Sequence, residues 1–104
     1  MANETKTTKQ TVVEALALLP GWGSTATIEL LQATFRNRVA AVNRALKLAG
    51  RSEKLVRGNG YYYFVDGEAF NWYSSSVSTC YADSLSLERW LDEFDVLKNS
   101  WRNL

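Results

Sequence analysis

A glycine-flanked turn near the middle of the chain strongly limits how its neighbours can fold. The segment at 57–67 reads RGNGYYYFVDG, and its GNG triplet tolerates the positive φ angles of a tight turn. The β-favouring residues on either side therefore predict a hairpin with strands at 54–57 and 61–65. Alternation sorts the second strand into two faces, one with Tyr61, Tyr63 and Val65 and the other with Tyr62 and Phe64. One face must cover a hydrophobic core, and the other meets a further layer or stays exposed.

Three helical patterns precede the hairpin. The first lies at 8–19, where Thr7 and Gln10 have the spacing of a capping box. The second runs from 25 or 26 to 35, and the third spans 37–49. The first two helices are predicted to serve mainly the core.

The third helix carries two chemically different faces. At about 100° per residue, the core side collects Val39, Val42, Leu46 and Ala49. The opposite side collects cations and small residues, namely Asn37, Ala40, Ala41, Arg44, Lys47 and the trailing Arg51. Small residues let a helix backbone come close to a ligand, and long cationic side chains reach around them. This face is therefore predicted to lie against something anionic.

Charge is segregated along the chain, although the net charge is only +1. Residues 36–58 hold seven cations against Glu53 alone, and residues 66–95 hold seven acids against Arg89 alone. Such asymmetry favours a polyanion as the partner of the basic segment. The alternative is that the two segments pair with each other on the folded surface.

Two further elements are predicted after the hairpin. The sequence SSSVSTCYA at 74–82 alternates as a third strand, and the sequence at 85–101 predicts a helix capped by Ser86. One side of this helix is an apolar stripe of Leu87, Trp90, Leu91, Phe94, Leu97 and Trp101. The opposite side carries Glu88, Asp92 and Asp95.

The residue types present favour a binding protein over an enzyme. The chain has no histidine, and its single cysteine, Cys80, is expected to be a small buried side chain. No phosphate-binding loop of the form GxxxxGK[ST] occurs, so no catalytic residue, metal site or cofactor is predicted. No apolar run approaches the ~18–20 residues of a membrane span, and the start MANETKTTKQ has no signal-peptide core. We expect a cytoplasmic protein with no membrane partner.

The order of three helices and a hairpin resembles the winged helix family of DNA-binding proteins. The resemblance is carried by STATIELLQATFRNRVAAVNRALKLAGRSEKLVRGNGYYYFV at 24–65, and it extends over about 8–65. It implies an α+β winged helix fold, with a three-helix helix-turn-helix core and a β-hairpin wing. The third strand and C-terminal helix are then additions. We expect residues 8–104 to form a single domain after a flexible N-terminus at 1–7.

The resemblance also implies which residues contact double-stranded DNA. Those facing the major groove or its flanking phosphates are Asn37, Arg38, Ala41, Arg44 and Lys47. Arg51 trails the same helix face, and Arg57 and Asn59 lie in or next to the wing. The chain departs from the family in two ways: the GNG turn of the wing holds no cation, and the chain continues beyond the wing.

The apolar stripe of the last helix has two interpretations. It completes the core, by packing on the first helix or behind the sheet. Alternatively, it forms a homodimer seam through Trp90, Phe94, Leu97 and Trp101, because aromatic residues are favoured as interface anchors. Dimeric helix-turn-helix proteins bind two half-sites one helical turn apart, which adds affinity by bivalency.

Three functions are compatible with these features. The preferred hypothesis is a DNA-binding transcriptional regulator or accessory factor, of the kind encoded by phages and other mobile elements. The second is a protein-binding module on a winged helix scaffold, such as a phage-encoded inhibitor of a host nucleic-acid-handling complex, with the acidic helix imitating nucleic acid. The third is an RNA or single-strand binder that stacks bases on Tyr61, Tyr62 or Tyr63.

Overall fold

The computed structural model describes residues 6–22, 26–72 and 74–100 and shows an α+β fold, which confirms the predicted class. The helices of the described part are α1 (Thr8–Ala17), α2 (Ile28–Ala33), α3 (Arg38–Leu48) and α4 (Leu87–Ser100). Its strands are β1 (Lys54–Arg57), β2 (Tyr62–Val65) and β3 (Ser76–Val77), which form one antiparallel sheet in the order β1-β2-β3. Within those ranges, every helix is too short or too polar to span a bilayer.

The predicted hairpin is present with nearly the predicted bounds. β1 and β2 pair in antiparallel register, with Lys54 opposite Val65 at the open end. The Gly58 N–H donates to the Tyr61 carbonyl at 2.7 Å and closes the turn. The aromatic run of the sequence is therefore the central strand of the sheet.

The third strand is much shorter than predicted. Pairing with β2 ends at Val77, which lies opposite Tyr62. The chain then leaves the ladder, because the Thr79 N–H turns back to the Val77 carbonyl at 3.0 Å. The prediction of a strand over 74–82 is wrong beyond this point.

Side-chain caps determine where the first two helices begin. Thr7 Oγ1 accepts from the Gln10 N–H at 3.2 Å, and Gln10 Oε1 accepts from the Thr7 N–H at 2.8 Å, which confirms the capping box. α2 begins later than predicted, because Thr27 is its cap and accepts from the Leu30 N–H at 3.0 Å. Each cap satisfies an N–H group that the helix itself leaves unpaired.

The core lies between the helices and the inner face of the sheet. Tyr62 and Phe64 both point into it, as strand alternation predicts. The Phe64 and Phe94 rings meet with centroids 5.2 Å apart at 74°, and the Tyr62 and Trp90 rings with centroids 5.8 Å apart at 88°. Edge-to-face contacts of this kind stabilise the core beyond the area that they bury.

The homodimer seam predicted on the last helix is wrong for its two central residues. Trp90 and Phe94 are 0% exposed within the monomer, and Trp90 Nε1 donates to the Ala82 carbonyl at 2.9 Å. Leu97 is half-buried against the same core, and Trp101 lies outside the described residues. The apolar stripe is buried within one chain, because it packs against the apolar inner face of the sheet.

Two tyrosines of β2 and its preceding turn remain at the surface on the outer face of the sheet. Tyr61 is exposed, Tyr63 is half-buried, and their ring centroids are 5.7 Å apart. Because Tyr62 is buried, a base could stack only on the other two members of the predicted tyrosine row.

Candidate functional site

Helix α3 packs against β1, and the Asn43 side chain bonds the two elements together. Asn43 Oδ1 accepts from the Leu55 N–H at 2.7 Å, and Asn43 Nδ2 donates to the Leu55 carbonyl at 3.2 Å. β1 is an edge strand of the described sheet, so these bonds satisfy backbone groups that no other strand there pairs. Sequence reasoning missed Asn43, because its partner belongs to a different element.

Exposed cations flank the α3–β1 pair and form what we call the basic surface. Its members are Arg36, Arg44, Lys47, Lys54 and Arg57. None of them forms an ion pair with any residue in the three described ranges. Within those ranges, Arg51 is the one cation of segment 36–58 that pairs with an acid of segment 66–95. The mutual pairing of the two charged segments is therefore largely absent.

The basic surface spans both ends of α3. Lys47 and Lys54 line a groove of about 460 Å³ beside the C-terminal half of the helix. Arg36 and Arg57 line a second groove of about 640 Å³ at its N-terminal end. α3 and β1 therefore run in opposite directions, and Arg44 lies on the helix between the two ends.

Five of the predicted DNA-contact residues are exposed. Arg44, Lys47 and Arg57 belong to the basic surface, Asn59 lies in the hairpin turn, and Asn37 lies at the start of α3. Arg36 and Lys54 were not predicted as site residues, although the count of cations in segment 36–58 includes them. That count was the signal that could have identified them.

The prediction that Ala41 faces DNA is wrong. Ala41 is 1% exposed, and Ala45, one turn further along α3, is fully buried. α1, α2 and α4 all pack against α3, so its buried arc is wider than the pattern of large apolar residues indicates. Ala40 is the small residue that remains exposed on this helix.

Asn37 and Arg38, also predicted to contact DNA, have structural roles at the start of α3. Asn37 Oδ1 caps the helix by accepting from the Val39 and Ala40 N–H groups at 2.8 and 3.3 Å. Arg38 Nη1 donates to the Leu85 carbonyl and ties α3 to the segment before α4. These contacts engage Asn37 Oδ1 and Arg38 Nη1 within the protein, so those two atoms are not free to bind a ligand.

Arg51 is engaged within the protein, which corrects its prediction as a DNA contact. Its Nε and Nη2 atoms donate to the two carboxylate oxygens of Glu53 at 3.0 and 2.9 Å. Its Nη2 atom also lies 3.6 Å from Glu68 Oε1, and its guanidinium carbon lies 5.6 Å from the centroid of the Phe94 ring. Paired and stacked in this way, Arg51 has little charge to offer a ligand.

Glu53 is a buried anion at the end of α3. It is 3% exposed and accepts from the Glu68 N–H at 2.8 Å as well as from Arg51. Burial raises the pKa of the Glu53 carboxyl, but the hydrogen bonds from Arg51 and the Glu68 backbone outweigh burial and hold its pKa below 4.5. The ionised carboxylate therefore joins the end of α3 to the turn after β2.

The acidic face of α4 is bound by α1. Lys9 Nζ lies 3.2 Å from Glu88 Oε2 and 3.0 Å from Asp92 Oδ1, and these bonds raise the pKa of Lys9. Asp95 Oδ2 accepts from the Thr8 N–H at 2.9 Å at the start of α1. The acids of α4 thus stabilise helix packing and leave the basic surface uncompensated.

Cys80 is exposed, so the expectation that it is buried is wrong. It is one of the residues that line the same groove as Arg36 and Arg57. Among the described residues, no group of three or more His, Cys, Asp or Glu side chains is placed to hold a metal ion.

Comparison with known proteins gave no relative from which a function could be transferred. No protein-family model matches the chain, and neither a curated protein nor a solved structure matches it. The charge distribution and geometry of the chain itself are therefore the basis for a functional proposal.

Proposed function

We propose that this chain is a winged helix DNA-binding protein, with α3 as the recognition helix and the β1–β2 hairpin as the wing. The order of three helices and a hairpin supports the architecture. The observation that carries the function is the basic surface, whose cations flank α3 and have no acidic partner in the described part of the chain. A transcriptional regulator or accessory factor is the role that this activity best fits.

The physical reason is the free energy of counterion release. Duplex DNA carries a dense array of phosphates, and each cation that neutralises one of them releases a condensed counterion. Arg44, Lys47 and Arg57 can contribute fully, because no internal ion pair must break first. Arg51 cannot, because Glu53 already holds it.

The test is fluorescence anisotropy of a labelled duplex across a salt series. We expect log affinity to fall with log salt at about 0.9 per neutralised phosphate, with four or more phosphates implied. The double variant Arg44→Ala/Lys47→Ala should reduce that slope by about 2. Failure of the wild-type protein to bind duplex at low salt would overturn the proposal.

A charge-matched control distinguishes the effect of losing cations on the basic surface from the effect of lowering the net charge. Lys6→Ala/Arg89→Ala also removes two exposed cations, but neither belongs to the basic surface. We expect this variant to keep nearly the wild-type slope. Equal losses in both double variants would show that net charge alone governs binding.

A homodimer that binds two half-sites is a separate proposal. Because Trp90 and Phe94 are inside the monomer, a seam on α4 must use exposed residues such as Val96, which is 62% exposed. Light scattering at high protein concentration tests for the homodimer, and a monomer mass would contradict this proposal.

One observation favours the second candidate, a protein-binding module. Phe70 is 82% exposed, and a large exposed aromatic side chain is typical of protein interfaces. Imitation of nucleic acid by α4 is less favoured, because Lys9 already pairs with Glu88 and Asp92. In this case Phe70→Ala would weaken a partner complex while Arg44→Ala/Lys47→Ala would leave it intact.

A further inference from the structure

The groove at the N-terminal end of α3 joins parts of the chain that are distant in sequence. Arg36 comes from the α2–α3 connection, Arg57 ends β1, and Tyr81 follows β3. The groove has a volume of about 640 Å³, within the range of about 300–1,000 Å³ that small-molecule sites have. Tyr81 lies outside the three helices and hairpin that support the proposed DNA-binding surface.

We propose that this groove binds one unpaired nucleotide of a nucleic acid, with its phosphate between Arg36 and Arg57 and its base against the ring of Tyr81. This inference rests on the proposed function, because the unpaired nucleotide belongs to the DNA that the basic surface binds. It adds a preference for DNA that has an unpaired or single-stranded end.

The two arginines supply the phosphate contact. Neither Arg36 nor Arg57 forms an ion pair with a described residue, and a guanidinium offers planar paired donors that match phosphate oxygens. The amide groups at the start of α3 contribute little, because Asn37 already accepts from two of them. The guanidinium groups must therefore provide the specificity for phosphate.

Tyr81 supplies the stacking surface. Its side chain is 72% exposed, but the backbone beside it is fixed, because the Ala82 N–H donates to the Tyr62 hydroxyl at 3.2 Å and Trp90 Nε1 donates to the Ala82 carbonyl at 2.9 Å. An exposed ring on a fixed backbone loses little conformational entropy when a base stacks on it. Bases inside a duplex have both faces covered, so the ligand must be unpaired.

Asp83, two residues after Tyr81 in the chain, also lines the groove and gives it a polar acceptor. A carboxylate there repels phosphate and accepts hydrogen bonds from an exocyclic amino group of a base. This arrangement orients the nucleotide, with the phosphate toward the arginines and the base toward Tyr81 and Asp83.

The first experiment compares a blunt duplex with the same duplex carrying a short single-stranded overhang, by anisotropy at fixed salt. We expect the overhang to tighten binding about 5- to 150-fold, the effect of one stacked base. Tyr81→Ala should abolish this preference and leave affinity for the blunt duplex unchanged. Phe70→Ala, which removes another highly exposed aromatic ring elsewhere, is the control and should keep the preference. Equal affinities of the wild-type protein for both duplexes would overturn the inference.

The second experiment uses Cys80, the single cysteine of the chain, as a reporter because it lines the groove. A short single-stranded oligonucleotide should slow its reaction with a thiol reagent in the wild-type protein, and not in Tyr81→Ala. Protection without any duplex binding would support this inference while overturning the proposed function. Duplex binding with neither an overhang preference nor protection of Cys80 would support the proposed function and overturn this inference. Protection by a free mononucleotide as strong as by the oligonucleotide would overturn the assignment to a nucleic acid strand.

Discussion

Asn43 bonds to both backbone groups of Leu55, which fixes the helix that carries the basic surface to the strand beside it. Together with core packing, this contact helps to set the spacing between Arg44 on α3 and the cations at the two ends of β1. The position of these charges depends on this contact as much as on the residues that carry them.

We expect Asn43→Ala to lower the free energy of unfolding by about 1–3 kcal/mol, because it leaves the N–H and carbonyl of Leu55 without partners. Asn43→Asp keeps an acceptor for the Leu55 N–H but sets a second anionic oxygen against the Leu55 carbonyl, so it should also destabilise the protein at neutral pH. Urea unfolding of both variants measures the difference. Unchanged stability in Asn43→Ala would show that the two hydrogen bonds make no net contribution to the free energy of unfolding.

The Glu53 carboxylate should make stability depend on acid pH. Its pKa is lowered in the folded state, so its contribution is present above 4.5 and is lost as pH falls through the folded-state pKa. We expect Glu53→Gln to cost about 2 kcal/mol at neutral pH, where charge-assisted bonds from Arg51 and the Glu68 backbone are lost. The difference between the two proteins should shrink toward acid pH. Thermal unfolding across a pH series tests it, and a difference that does not change with pH would contradict the assignment.

Gly67 is the position where an added methyl group should do most harm. Its φ is 56°, and a Cβ there would lie 2.6 Å from the carboxylate carbon of Glu53. Gly50 also has a positive φ, of 78°, but an added Cβ would meet nothing within 4 Å. We expect Gly50→Ala to cost about 1–2 kcal/mol from backbone strain alone, and Gly67→Ala to cost more. Equal midpoints in urea unfolding would show that the Glu53 side chain moves aside freely.

Local sequence patterns predicted the helices and the hairpin apart from some of their ends, but they made the third strand too long and did not predict the contacts between elements. The bounds of β1 and the capping box at Thr7 were correct, because each depends on a few adjacent residues. The partners of Asn43 and Arg38 could not be predicted, because they depend on which elements lie side by side. Trp90 was ambiguous for the same reason, since an apolar stripe does not reveal whether its cover belongs to the same chain.

The orientation of α3 about its own axis gives the final prediction. It tests both the basic surface and the burial of Ala41. A helical wheel gives the angle of each residue but not the width of the buried arc, so sequence alone placed adjacent alanines on the same exposed face. Ala40 is exposed and Ala41 is 1% exposed. We expect Ala40→Lys to fold normally and, if α3 lies on DNA, to steepen the salt dependence of duplex binding by about 0.9.

Ala41→Lys is the matched variant, with the same residue change one position along the helix. It forces a charge into the core, so we expect a large loss of stability, of about 3 kcal/mol or more. Circular dichroism and urea unfolding measure stability, and anisotropy across a salt series measures the slope. An unchanged slope in a folded Ala40→Lys protein would place this face of α3 away from the phosphates. A stable Ala41→Lys protein would instead show that the buried arc of α3 is narrower than it is in the structure, and that position 41 is accessible.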